Sequence, residues 1–509
     1  MNNIGDSNGT DQYKYSFFGH PRGLATLFFT EMWERFSYYG MRAILVLFMV
    51  DAINRGGLGL DDTTATAIYG LYTMFVYLLA LPGGWLADKF FGLRKAIWYG
   101  GIIITAGHFS MAIPGNVTFY FGLVLIVIGT GLLKPNISSI VGGLYGDDEQ
   151  ARRDAGFSIF YMGINIGAFL APLITGYLGE GINWHYGFGA AGIGMLLGLI
   201  QYKATEKYLG GIGAEPEMTG TPAEQQKLFG RIKVGLWGLG LFCLAAFVSI
   251  SSGWITINPV AIADASGFII FLLVLAYFAY VYIAEDLTTD EQKKIGVIAA
   301  LFIFSAIFWS GFEQAGSSLN LFAERYTDRD IFGWLMPASW LQSVNAFFII
   351  TLAPVFGWLW VWLAKKNLEP STPVKFALGL ILLGFGFLVM MFASFYVVGG
   401  NEVLPTWLIM TYLFHTCGEL CLSPVGLSAV TKLSPKKLVG QMMGVWFMSI
   451  AFGNLIAGRI AGQFDDEAIQ ADPSLLPDLF WLIVITTVGG GLVLLLFNKP
   501  IKKLMGNIH

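Results

Sequence analysis

The amino-acid sequence predicts an all-α membrane protein with 14 spans, arranged as two six-helix bundles with two extra transmembrane helices between them. Three observations carry this reading. Of 509 residues, 55% are hydrophobic and only 13% charged, with a mean hydropathy of +0.63, more apolar surface than a soluble chain can bury. The apolar residues fall in stretches of about the 20 residues that cross a bilayer. Lysine and arginine concentrate in every second connection, the pattern of multispanning chains.

In chain order the predicted spans cover 23–51, 62–90, 94–113, 118–145, 153–180 and 184–206, then 234–253 and 266–284, then 295–325, 333–364, 374–397, 403–431, 438–464 and 476–498. The organisation is a polar tail (1–22), an N-terminal bundle (23–207), a linker with the two extra spans (208–290), a C-terminal bundle (291–500) and a short tail (501–509). The opening "MNNIGDSNGTDQYKYSFF" lacks the basic start, apolar stretch and cleavage site of a secretory signal. Cys243, Cys417 and Cys421 all fall in apolar segments, where a thiol behaves as a small hydrophobe. The net charge of −4 is small and dispersed, which excludes a nucleic-acid surface. Pro135, Pro337, Pro354 and Pro424 mark expected bending points.

The basic connections hold Lys89, Arg94 and Lys95; Arg152 and Arg153; Lys203, Lys207, Lys227, Arg231 and Lys233; Lys293 and Lys294; Lys365, Lys366 and Lys375; and Lys432, Lys436 and Lys437. Connections such as "PGNVT", "GEGIN" and "QFDDEAIQADPS" have neither Lys nor Arg. Both termini are therefore predicted on the cytoplasmic side. Arg55, Arg325 and Arg329 run against the pattern. The second connection, "GGWLADKFFGLRKA", has a worn echo in "FGWLWVWLAKKNLEPSTPVK", as duplication of a six-helix unit would leave. Its Asp88, Arg94 and Lys95 resemble the gating-loop signature of the major facilitator superfamily, whose glycines let two helices approach closely.

Charges within the spans indicate function, because an ionisable group in lipid is costly unless it has a task or a partner. In "EMWERFSYYG", taking Glu31 as origin, Glu34, Arg35, Tyr38, Tyr39 and Arg42 fall at roughly −60°, 40°, −20°, 80° and 20° around the helix. They share one face, and Trp33 and Phe36 point elsewhere. Glu31 and Arg35, four apart, are placed to pair. Lys134, Glu313 and Glu419 are mid-span charges with no opposite charge nearby on their own helices, so each needs a partner from another helix or a polar cavity. Tyr77, Tyr161, Asn165, Gln342, Asn345, Trp446 and Ser449 add neutral polar groups, for which a helix–helix hydrogen bond competes with ligand contact.

"EMWERF" followed by Tyr-Tyr-Gly, "FSIFYMGINIG", "FWSGFEQAGSSL" and "GELCLSPVGLSAVTKLSP" together resemble the motifs of the proton-coupled oligopeptide transporter family, bacterial type, within the major facilitator superfamily. The resemblance covers nearly the whole chain. It implies that Glu31, Glu34, Arg35 and Lys134 couple proton movement to transport, with Glu313 a second protonation or gating site. It also implies a peptide site drawing on Arg35, Tyr38, Tyr39, Arg42, Tyr77, Lys134, Tyr161, Asn165, Glu313, Asn345, Glu419, Trp446 and Ser449, with Glu419 meeting the amino group. The expected activity is symport of di- and tripeptides with protons across a bacterial inner membrane; it needs no cofactor or metal and is not enzymatic. Two departures stand out. Animal members have a histidine where this chain has Gly70, and their long insert is replaced by "GGNEVLPT", so coupling must rest on carboxylates.

The chemistry agrees on its own terms. A short peptide is a zwitterion; Arg35, Arg42 and Lys134 suit its carboxylate and Glu419 its amine, while tyrosines and tryptophans tolerate varied side chains. A nitrate or other small-anion carrier of the same fold would leave Glu419 and Glu313 without a substrate. His415 and Glu419, four apart, lack the further ligands of a metal site. A passive pore or receptor has no use for paired acids and bases at mid-membrane. The extra pair of spans, with few polar groups besides Ser249, Ser251 and Ser252, is expected to be peripheral and dispensable for uptake.

Overall fold

A computed structural model describes residues 17–146, 148–216 and 221–506, apart from the side chains of Phe247 and Ser251. Most of the expected tail 1–22, part of the linker and the last three residues lie outside the described residues.

The N-terminal helices are α1 (Arg22–Val50), α2 (Asp62–Leu78), the short α3 (Ala80–Leu86), α4 (Leu93–Met111), α5 (Asn116–Gly143), α6 (Gln150–Gly181) and α7 (Trp184–Thr205). The extra pair is α8 (Pro222–Ser251) and α9 (Pro259–Ala284). The C-terminal helices are α10 (Thr289–Phe312), α11 (Ser318–Arg325), α12 (Ser343–Lys365), α13 (Thr372–Val398), α14 (Thr406–Leu433), α15 (Val439–Ala461), α16 (Asp466–Ala471), α17 (Leu475–Leu496) and α18 (Asn498–Met505). Among the described residues, 11 helical stretches are long and apolar enough to cross a membrane. The other three predicted spans are α1, α4 and α7, helices of 29, 19 and 22 residues.

Four expectations need correction. The span expected from 333 begins later, because Asp330–Ile331 and Trp334–Leu335 form a two-stranded hairpin turning at Phe332 and Gly333, both with positive φ. Pro337 therefore precedes a helical turn at Ala338–Gln342 instead of bending a span. The polar link becomes helical at Pro222, twelve residues before the expected span, because Thr221 and Glu224 form a reciprocal capping box. The expected C-terminal tail contains most of a basic helix, α18.

Contacts group the chain into two units. One comprises Met1–Met41, Leu79–Ala171 and His185–Asn258; the other comprises Arg42–Leu78, Pro172–Trp184 and Pro259–His509. In the first, α4 and α5 meet where Gly100 and Gly129 face each other: a Cβ on either would lie 2.7 or 2.6 Å from the other's carbonyl oxygen, the small-residue seam that packs helices in lipid. In the second, α2 and α15 meet at Gly70 and Gly458, where a Cβ on Gly70 would stand 3.2 Å from the Gly458 Cα. Gly70 thus lies in a seam where even a methyl group is tight and a ring the size of histidine has no room.

The extra helices differ. α8 is almost wholly exposed. α9 is part of an apolar cluster in which Ala263, Ile270 and Val274 pack with Phe302, Val445 and Leu455. Polar ties reinforce it: Arg459 to Asp264 at 2.6 Å, Tyr277 donating to Gln441 at 2.8 Å, and Lys437 to Glu285 at 2.9 Å.

Candidate functional site

The expected site residues divide between the two units. In the first, the α1 cluster forms as the helical spacing predicts. Arg35 Nε lies 3.1 Å from Glu31 Oε1 and 2.5 Å from Glu34 Oε2, with all three side chains almost fully buried. Tyr38 lies beside the guanidinium, 5.2 Å from ring centroid to Arg35 Cζ, and packs edge-on against Tyr39. Lys134 of α5 is within electrostatic range of Glu31. Its neighbour Pro135 has no N–H to give to the Gly131 carbonyl, which loosens α5 at the cation.

Small residues hold α1 in place. A Cβ at Gly167 of α6 would meet the Met32 carbonyl oxygen at 2.2 Å, and one at Gly194 of α7 would meet the Phe36 ring at 2.4 Å. The apolar face of α1 therefore packs on α7 glycines, away from the face that holds Glu31, Glu34 and Arg35. Glu31 Oε2, Glu34 Oε1 and Arg35 Nη2 are buried with no hydrogen-bond partner among the described residues. A purely structural staple would saturate these atoms, since an unmet buried polar group costs about 1–3 kcal/mol.

Other expected residues of this unit are placed as follows. Asn165 is buried and donates to the Tyr161 carbonyl on its own helix at 2.9 Å, whereas the Tyr161 side chain is exposed. In the second connection, Asp88 lies in a wide helical turn, Ala87–Phe91, closed by Gly92 with φ of 79°. Arg94 Nε donates to the Ile212 carbonyl at 2.8 Å and Nη2 to that of Gly210. The loop is thus clamped to the segment that follows α7; Lys95 takes no ion pair among the described residues.

In the second unit, Arg42 Nη2 lies 2.6 Å from Glu313 Oε2, and its Nε donates to the Tyr69 hydroxyl at 2.6 Å. Glu313 opens a tight turn, Glu313–Gly316, that interrupts α10 before α11. Gly316 is required there: a Cβ would fall 2.1 Å from the Tyr69 hydroxyl and 3.1 Å from Arg42 Nε. Glu419 is within electrostatic range of Glu313 and accepts from Asn345 Nδ2 at 3.4 Å, while the same amide donates to Thr416 at 2.9 Å. Ser449 shares a hydrogen bond with Ser305 at 2.8 Å, and Trp446 packs against Phe376 and Gly426. Tyr77 packs on the cluster shared with α9.

A set of contacts that sequence reasoning missed ties remote segments of this unit together. Arg325 donates to both oxygens of Asp62, each at 2.8 Å, and Asp62 also accepts the Asp466 N–H at 2.9 Å. Glu180 accepts the Ala338 and Ser339 N–H groups at 2.7 and 3.0 Å and the Ser339 hydroxyl. Trp340 Nε1 donates to the Leu173 carbonyl at 3.0 Å. Arg329 donates to the Met336 carbonyl at 2.7 Å and lies 3.9 Å from Glu180. Arg55 pairs with Asp51 at 2.6 Å. The three arginines that run against the loop-charge pattern are therefore all neutralised structurally. Their only sequence signal was that anomaly.

A helical membrane protein of major facilitator fold, with buried acid–base pairs inside its helices, is a secondary transporter by class. The chain belongs to the POT family, whose model matches residues 94–481. It is 45% identical over 502 residues to peptide transporter YePEPT of Yersinia enterocolitica subsp. palearctica, covering 97% of this chain and 96% of the relative. It is 36% identical over 506 residues to a di-/tripeptide transporter of Lactococcus lactis subsp. cremoris, covering 97% and 98%. Among solved structures, peptide transporter POT in complex with sulfate superposes with a TM-score of 0.87 at 43% identity, covering 98% of this chain and 100% of the other. A mutant of peptide transporter POT bound to alafosfalin superposes equally well at 42% identity, with the same coverage.

Proposed function

We propose that this chain is a symporter that imports di- and tripeptides with protons by alternating access, in a bacterial inner membrane with both termini cytoplasmic. The observation that carries it is the buried Glu31–Arg35–Glu34 cluster, whose hydrogen-bonding capacity is left partly unmet on a helix otherwise packed by glycines. Such a cluster can exchange a proton or accept a substrate carboxylate. The peptide transporters among its relatives support the cargo.

In this reading Arg35 and Lys134 attract the peptide carboxylate, and a carboxylate that engages Arg35 frees Glu31 or Glu34 to exchange a proton. Glu419, held by Asn345, meets the amine. The Arg42–Glu313 pair joins the outer part of α1 to the break between α10 and α11, so protonation of Glu313 releases that end. A small anion would leave Glu419 idle. No cofactor enters: one proton crossing about 100 mV gains about 2.3 kcal/mol and one pH unit about 1.4 kcal/mol. Together these support accumulation by about a few hundredfold at one proton per peptide. We count α1, α4 and α7 as spans, which completes 14.

The test is uptake of a labelled dipeptide into proteoliposomes, with and without an inward proton gradient, for the native protein and Glu31→Gln. Gradient-driven accumulation abolished by Glu31→Gln, with peptide counterflow surviving, is the expected result. Absence of peptide uptake under any gradient overturns the reading.

A further inference from the structure

A cavity of about 700 Å³ opens at the lysine-rich ends of α12, α13 and α14, beside α18. This volume suits a small ligand or a headgroup. Its charged lining is Lys375, Lys432, Lys502 and Glu369, a net charge of +2 from three lysines and one glutamate. Lys375 is committed: its Nζ lies 2.6 Å from Glu369 and 4.9 Å from the Trp360 ring centroid. Lys432 and Lys502 are exposed and make no ion pair among the described residues. The Thr372 hydroxyl, in a residue 7% exposed, makes no side-chain hydrogen bond among the described residues and lines the same cavity, at the N-terminal turn of α13.

The same elements carry apolar surface outward. Trp358 and Trp362 of α12 stack on each other and are exposed, and Leu496 and Phe497, immediately before α18, are exposed too. Tryptophan beside lysine marks a membrane–water boundary. α18, "NKPIKKLM", has lysines on one side and buries Met505, the pattern of a helix lying in the interface.

We propose that this cavity binds a phosphate-bearing anion, the headgroup of an anionic phospholipid, between the Lys432 and Lys502 ammonium groups and the Thr372 hydroxyl, with acyl chains against the exposed tryptophans of α12. The cytoplasmic leaflet follows from the orientation proposed above; binding itself does not depend on it.

The test is native mass spectrometry and thermal unfolding of the full chain in detergent, titrated with phosphatidylglycerol, phosphatidylcholine or inorganic phosphate, for the native protein, K432Q/K502Q and K432R/K502R. Phosphatidylglycerol is expected to bind and raise the unfolding midpoint more than phosphatidylcholine. K432Q/K502Q is expected to weaken that binding by on the order of twentyfold, and K432R/K502R to retain it. Phosphate matching the lipid in a lysine-dependent way supports the site with a free anion as source; phosphate without effect supports the lipid. Equal binding of the two lipids, or undiminished binding by K432Q/K502Q, overturns the proposal. Both variants are exposed and outside the peptide site, so counterflow serves as the check of folding, and failure of peptide transport in the native protein leaves the lipid readout intact.

Discussion

Replacing Gly458 by alanine puts one methyl group where the α2–α15 seam has no space. A Cβ there would lie 2.5 Å from the Thr66 carbonyl oxygen and 2.8 Å from the Gly70 Cα, against about 3.5 Å for an unstrained contact. The opposing atoms are backbone, so relief requires the helices to part by about an ångström. Overpacking of this kind costs about 1–3 kcal/mol, and alanine's helix preference over glycine returns about 1 kcal/mol. The net is a loss of up to about 2 kcal/mol. Gly70→Ala comes out differently. Its Cβ would be 3.2 Å from the Gly458 Cα and 3.4 Å from two carbonyl oxygens, tight by only a few tenths of an ångström, so strain and helix preference nearly cancel. Gly70→His has to force a whole ring into the seam. Tryptophan-fluorescence melts of the detergent-solubilised protein should therefore rank wild type and Gly70→Ala together, Gly458→Ala below them and Gly70→His lowest. A Gly458→Ala protein that melts at or above wild type refutes the close-contact argument.

Asp62→Asn leaves the Arg325 guanidinium, 17% exposed, without its bidentate partner. The expected loss is about 2 kcal/mol, below the 3–5 of a fully buried pair because Arg325 keeps some water, and an unchanged melting midpoint would contradict it. Ser449→Ala removes the Ser305 bond and should cost about 1 kcal/mol while leaving the peptide KM unchanged, because the hydroxyl is fully buried; a raised KM would support the place in the peptide site that the resemblance implies for Ser449. His20 bonds Tyr145 at 2.9 Å, and burial first, with Arg152 second, lowers its pKa. The folded state therefore favours neutral His20, a contribution present above the ordinary histidine pKa and lost as pH falls through the lowered one. Melting midpoints between neutral and acid pH should fall less steeply for His20→Gln; identical slopes would remove His20 from the pH response.

The membrane class, the helices and the charged face of α1 were legible in the sequence because lipid makes them so. A bilayer demands long apolar helices and penalises every charge within them, so Glu31, Glu34, Arg35, Lys134, Glu313 and Glu419 stand out by type alone. The Glu31–Arg35 contact needed only the helical repeat. What escaped were partners remote in sequence: Tyr69 beside Arg42, Asp62 with Arg325, Glu180 on the turn at Ala338. Charges in water-exposed connections cost little, so nothing in the local pattern separates a clamp from an ordinary loop.

By itself the sequence determined the kind of protein, its helical periodicity and which side chains lipid would make expensive, since those follow from each residue's own transfer energy and from a repeat of 3.6. Tertiary structure alone decided that Gly70 has no room for a large side chain, that the hydroxyl of Ser449 is taken up by Ser305, and that Arg42 answers Glu313. Each depends on two helices approaching within a few ångströms, a distance set by the packing of many residues at once and encoded by none of them singly.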